Sequence, residues 1–163
     1  MTWTELPFGK HTGRTLPQIL FADPGWFFWV HRKQALRGRL EFEVGELFPR
    51  ATRIRIPQGD GERCIVEYAV HPSGGLATVQ LVPETAVREW GGSGSFTRPW
   101  IDLSIAQQIR GYDQTGGKIL IDFLKTTYFG STCYKMTRDR CAEFFESPGN
   151  FVSSSALRQP GLS

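Results

Sequence analysis

Arg63-Cys64-Ile65-Val66-Glu67-Tyr68-Ala69-Val70-His71-Pro72-Ser73-Gly74-Gly75-Leu76-Ala77-Thr78-Val79-Gln80-Leu81-Val82 is the stretch on which the fold class turns. Two runs rich in Ile, Val, Tyr and Thr flank a His-Pro-Ser-Gly-Gly cluster, the chemistry of two strands joined by a turn. Upstream, residues 52–56 form another such run, set off by Pro57-Gln58-Gly59-Asp60-Gly61. Three strands at 52–56, 63–70 and 76–82 predict an antiparallel meander with one face packed against helices.

The flanking segments supply those helices. Before the strands, Leu40, Val44, Leu47, Phe48 and Ala51 match a helical stripe better than Leu40, Phe42 and Val44 match a strand. Gly45 weakens that helix by ~1 kcal/mol relative to alanine, and Pro49 predicts a kink or an early stop. After the strands, Gly91-Gly92-Ser93-Gly94-Ser95 reads as flexible, and residues 83–99 are expected to form a mobile loop. Beyond it, Ser104 is placed to cap a short helix ending at Arg110. Ile119, Leu120, Phe123 and Leu124 set a core face on a helix over about 115–128, ended by Gly130. Thr137 is placed to cap a last helix bearing Cys141, Phe144 and Phe145. The expected class is α+β: an N-terminal turn-helix module, a three-stranded antiparallel sheet and C-terminal helices. The chain reads as one domain over 1–151, divisible into lobes 1–82 and 96–151 around a flexible 83–95 loop, with a disordered Ser-rich tail over 152–163.

With 163 residues, 40% apolar and 13% aromatic, the chain has material for one core. No apolar run approaches the ~18 residues of a membrane span, and no basic segment followed by an apolar stretch marks a secretory signal. Cys64, Cys133 and Cys141 are odd in number and form no CxxC pair, which fits a reducing, cytoplasmic compartment. The net charge of +3 lies within residues 1–60, where nine Lys or Arg face six Asp or Glu. Arg32, Lys33, Arg37, Arg39, Arg50, Arg53 and Arg55 concentrate it further, against only Glu41, Glu43 and Glu46. Such a patch suits phosphate, although charge runs ordinarily just solvate a surface.

The N-terminal segment carries the most specific pattern. Pro7-Phe8-Gly9-Lys10-His11-Thr12-Gly13-Arg14-Thr15-Leu16 places two glycines around a cationic turn that needs positive φ. A few extended residues follow. Asp23-Pro24 then opens an aromatic helix, Trp26-Phe27-Phe28-Trp29, with Asp23 as its cap and Gly38 as its stop after Leu36. Over residues 5–36 this segment resembles the small module appended to the C-terminus of exonuclease X-like nucleases. The same module occurs alone in proteins described as quorum-sensing-regulated virulence factors. The family pattern is Phe-Gly-Lys-aromatic-x-Gly-Lys/Arg-x-Leu, then Asp-Pro-x-Tyr-Leu/Phe-x-Trp. Phe8, Gly9, Lys10, Gly13, Arg14, Leu16, Asp23, Pro24, Phe27 and Trp29 fall on it, while His11 and Trp26 stand where the family has Tyr, and Thr12 where it often has Lys. The resemblance implies nucleic-acid processing.

Other chemistries find less support. Gly111-Tyr112-Asp113-Gln114-Thr115-Gly116-Gly117-Lys118 approaches a P-loop, but Tyr112 stands at the required glycine and Ile119 at the Mg²⁺-binding hydroxyl. What survives is a weak anion site at Gly116, Gly117 and Lys118. His11, His31 and His71 lie far apart, without metal-ligand spacing. Glu41 and Glu43 fall on a helix, and Asp102, Asp113 and Asp122 are loosely spaced, so the acidic set of a two-metal nuclease is not expected. No metal and no cofactor are predicted. The leading expectation is a non-catalytic module that contacts nucleic acid through Lys10, His11, Arg14, Arg32, Lys33, Arg37 and Arg39, accessory to a nuclease or replication enzyme. Phe8 and Trp29 are expected in the core, and Lys10, His11 and Arg14 in solvent. The alternatives are a protein-interaction adaptor docking through the aromatic helix and the 83–99 loop, and a divergent nuclease-type enzyme.

Overall fold

Residues 2–59, 61–89, 94–110 and 114–153 are described by a computed structural model. A hairpin opens the chain: Glu5 bridges Thr15, Leu6 N–H donates to Arg14 O at 2.9 Å, and Gly13 N–H donates to Leu6 O at 2.8 Å. Gly9 (φ +80°) and Gly13 (φ +84°) turn the strand back in the left-handed region, as their spacing predicts.

Where extended residues were expected, helix α1 (Leu16–Ala22) follows at once. Its Leu16, Ile19 and Leu20 are fully buried at i, i+3 and i+4, a pattern too short to read against the Asp-Pro stop that follows. Helix α2 (Pro24–Lys33) starts as predicted but ends earlier. Gln34 takes a left-handed conformation (φ 50°, ψ 44°), and Ala35 N–H closes onto Val30 O at 3.0 Å. Gly38, expected as the stop of α2, instead opens helix α3 (Arg39–Ala51) at φ +65°. The helical reading of this segment holds, with Leu40, Val44, Leu47 and Ala51 buried and Pro49 inside its last turn.

The fold is α+β, with six helices among the described residues and one antiparallel sheet of three strands. Strand β1 (Cys64–Val70) is central, paired with β2 (Leu76–Pro83) on one side and β3 (Gly94–Arg98) on the other. The hairpin 63–82 is as predicted. The rest of the meander is corrected: residues 52–56 form no strand, and the third strand lies within the segment expected to be a mobile loop. Ile54, fully buried, makes isolated bridges to Ile101 and to Phe151 instead of joining the sheet. Residues 90–93, with Gly91, Gly92 and Ser93 of the Gly-Ser run, lie outside the described residues, as do Gly111, Tyr112 and Asp113 and the tail from 154. Val152, expected at the start of that tail, donates its N–H to Arg53 O at 2.9 Å.

Helices α4 (Ile105–Arg110), α5 (Gln114–Phe129) and α6 (Arg138–Glu146) complete the fold, with a single 3-10 turn at Pro148–Asn150. Gly130 (φ +80°) ends α5, and Thr137 Oγ1 accepts from Arg140 N–H to cap α6. Ser104 does not spend its hydroxyl on a cap: it donates to Asp102 Oδ1 and accepts from the Gln108 amide. Apart from Ile65, the buried apolar side chains among the described residues form one cluster, with α1 at its centre against α2, α3, α5 and α6, and α5 lying against β2. Among the described residues no helix is long and apolar enough to cross a membrane.

Candidate functional site

Two successive turns shape the tip of the hairpin. Thr12 N–H donates to Gly9 O at 3.2 Å and Arg14 N–H to His11 O at 3.0 Å, while Thr12 Oγ1 also donates to Gly9 O at 2.6 Å. This folding drives His11 inward. Its ring meets Trp26 edge-on at 5.1 Å and its exposure falls to 7%, so the expectation of an exposed His11 is corrected. His11 Nε2 lies 3.1 Å from Asp23 Oδ2, and Lys10 Nζ reaches the same oxygen at 3.0 Å. A carboxylate only accepts, so Nε2 is the ring nitrogen that carries the proton in this contact. His11 Nδ1 is buried without a hydrogen-bond partner among the described residues.

Asp23 therefore does something other than cap α2. It stands at the N-cap position, but its side chain makes no cap hydrogen bond and instead ties the hairpin tip to the helix start. From the other side, the Arg138 guanidinium on α6 donates to Glu5 Oε1 and to Gly13 O. The hairpin is thus held at its tip and at its base by different helices.

The tip faces a segment far away in sequence. Lys10, His11, Arg14 and Asp23 line a cleft of about 470 Å³ together with Gln114 and Lys118 of α5. Gly117 of α5 packs beside the Pro24 ring at the start of α2, where even an added Cβ would meet Pro24 Cγ at an ordinary contact distance of 3.4 Å. Gly116 and Gly117 are both buried, and Lys118 is exposed, paired at 2.8 Å with Asp122 one turn on. Of the predicted Gly116-Gly117-Lys118 site, Lys118 alone lines the cavity that the turn borders.

The remaining predicted cations lie elsewhere. Arg32 and Lys33 are exposed in the last turn of α2, roughly 12 Å along the axis from its start at 1.5 Å per residue. Arg37 Nη1 donates to Gln34 O and to Leu36 O, and Arg39 Nη2 donates to Thr2 O at 3.4 Å, so both are engaged with nearby backbone. Between the two ends of α2 stands Trp29. Expected in the core, it is 39% exposed, and Phe8 at the hairpin tip is 52% exposed. The reason is helical phase: Phe27, Phe28 and Val30 take the inward directions, leaving position 29 on the face shared with 26, 32 and 33. Trp26 is half-buried on that face. Neither the shared Asp23 nor the exposure of Trp29 had a local signal, because both depend on which side of α2 the rest of the chain covers.

Among the described residues no group of three or more His, Cys, Asp or Glu is arranged to hold a metal ion. Comparison of the chain with protein-family models, with curated proteins and with solved structures finds no match.

Proposed function

We propose that this chain is a non-catalytic nucleic-acid-associated module, accessory to DNA or RNA processing in the cytoplasm, and that it holds a single strand along the outer face of α2. The observation that carries this reading is the exposed Trp29 set between half-buried Trp26 and the cations Arg32 and Lys33, with Lys10 and Arg14 at the other end of the helix. An indole offers a flat face to any base, and cations on either side suit the phosphates between stacked bases. The resemblance of residues 5–36 to the exonuclease X-associated module supports the same reading, and three free cysteines fit a reducing compartment.

The test is binding of labelled single- and double-stranded oligonucleotides at increasing salt. Single strands should bind with an affinity that falls as salt rises, by about 0.7 of log–log slope per phosphate contact. Trp29→Ala should weaken binding to every sequence alike, and it should cost about 1–2 kcal/mol of stability, less than the ~3–5 of a buried aromatic, because Trp29 is only partly covered. Binding indifferent to salt and to Trp29 would overturn the reading. A second reading, a protein-interaction adaptor, is favoured by Phe8 at 52% and Phe42 at 56% exposure. Its signature is a partner interaction that survives high salt and is lost on Phe42→Ala.

A further inference from the structure

The cleft between the Gly9–Gly13 turn and the first turns of α5 lies at the end of α2 where Lys10 and Arg14 stand, and its lining has a chemistry of its own. We infer that it binds a phosphomonoester, the terminal phosphate of a nucleic-acid strand or of a free mononucleotide. This inference rests on the nucleic-acid reading for the kind of molecule that carries the phosphate. Its own support is the convergence of Lys10, Arg14 and Lys118, from segments about a hundred residues apart, on a concavity of about 470 Å³ with the Gln114 amide on the same wall. That volume lies within the usual range of small-molecule sites, roughly 300–1,000 Å³.

The electrostatics select the class of ligand. Asp23 lines the cleft too, but its carboxylate is shared by Lys10 and His11, and only 11% of its side chain is exposed. Lys118 is shared with Asp122. Arg14 is different: it is exposed, lines the cavity, and its guanidinium makes no hydrogen bond or ion pair among the described residues. A guanidinium presents paired N–H donors that match two oxygens of one phosphate. A dianionic monoester gains more from Arg14 than a singly charged backbone diester does, with Lys10 and Lys118, each already sharing a carboxylate, at the edge of the same cleft. The hairpin hydrogen bonds of residue 14 use only its main chain, so the side chain is spare from folding.

The experiment uses the full chain and short single-stranded DNA ending in a 5′-phosphate, a 3′-phosphate or hydroxyls only, with the fluorophore at the opposite end. AMP and inorganic phosphate serve as competitors and as titrants in calorimetry. A phosphate-ended strand should bind about tenfold more tightly than the hydroxyl-ended one, the scale of one charge-assisted contact. Arg14→Ala and, separately, Lys118→Ala should bring that ratio close to one with unchanged melting temperature. Trp29→Ala should weaken all strands and leave the ratio intact. Hydroxyl-ended strands binding as tightly as phosphate-ended ones would overturn the cleft and leave the α2 reading standing. AMP binding that depends on Arg14, with no strand bound, would uphold the cleft and remove the α2 reading. No binding of any strand, of AMP or of phosphate would overturn both.

Discussion

Asp23 precedes a proline at a helix start, the local sequence in which an aspartate is expected to cap, and its backbone occupies that position. The carboxylate instead takes up His11 and Lys10, because the hairpin tip brings a buried imidazole N–H within reach and burial makes that donor costly to leave alone. The two roles separate experimentally. Serine is a good N-cap but too short to serve His11, so Asp23→Ser should destabilise as much as Asp23→Ala, by about 1–3 kcal/mol. Urea melts of the two variants decide it: a serine variant as stable as the parent would restore the capping role. The residues around the cleft were legible as types, since glycine spacing marked the turn and Asp-Pro marked the helix. Their partners were not, because the choice between capping and tethering is made by tertiary contact.

At the scale of elements, local patterning succeeded wherever one face of a long segment packs against the core. Helices α3 and α5 and the β1–β2 hairpin are of this kind. It failed for short pieces. Strand β3 has only five residues and begins at Gly94, so its first positions read as linker, and pairing with Val70 through Val66 is what orders it. Residues 52–56 have strand composition, but Ile54 finds single partners on two other segments. The link from β3 to α4 is organised by Asp102. Its backbone N–H donates to Tyr68 Oη at 2.9 Å, and its Oδ1 accepts from Ser104 N–H at 2.8 Å and from the Ser104 hydroxyl. Burial raises the Asp102 pKa above the ordinary 3.8, against the pull of Ser104 and Arg98. The folded state thus favours the protonated acid. This contribution to stability is complete below the unfolded pKa and is lost as pH rises through the folded one. Asp102→Asn keeps an oxygen acceptor without the charge. Its stability relative to the parent should therefore be greatest at neutral pH and should shrink on acidification, as read from urea midpoints across pH 4–8. A constant difference would mean that Asp102 does not titrate between the two states in that window.

For the whole molecule, the apolar interior is one cluster in which the first and last described segments take part together, through Trp3 and Leu6 at one end and Phe151 at the other. Phe151 lies against Phe144 and Phe145, with ring centroids 5.7 and 5.9 Å apart, and its segment pairs with Ile54. Phe151→Ala should cost about 3–5 kcal/mol, as for other buried aromatics, and broaden the folded-state spectrum around residues 53–55. A loss under 1 kcal/mol in denaturant melts would show that this segment is peripheral. The bridges of Ile54 also bear on how the chain is made. Its two pairing partners lie downstream, the farther one roughly a hundred residues later, a delay of about 5–20 s at ordinary translation rates. Ile101 emerges about halfway through that interval, so Ile54 gains one bridge first and the Phe151 bridge only at its close. The pairing of the 52–56 segment is therefore completed in two steps as the chain is made, the second waiting on residue 151.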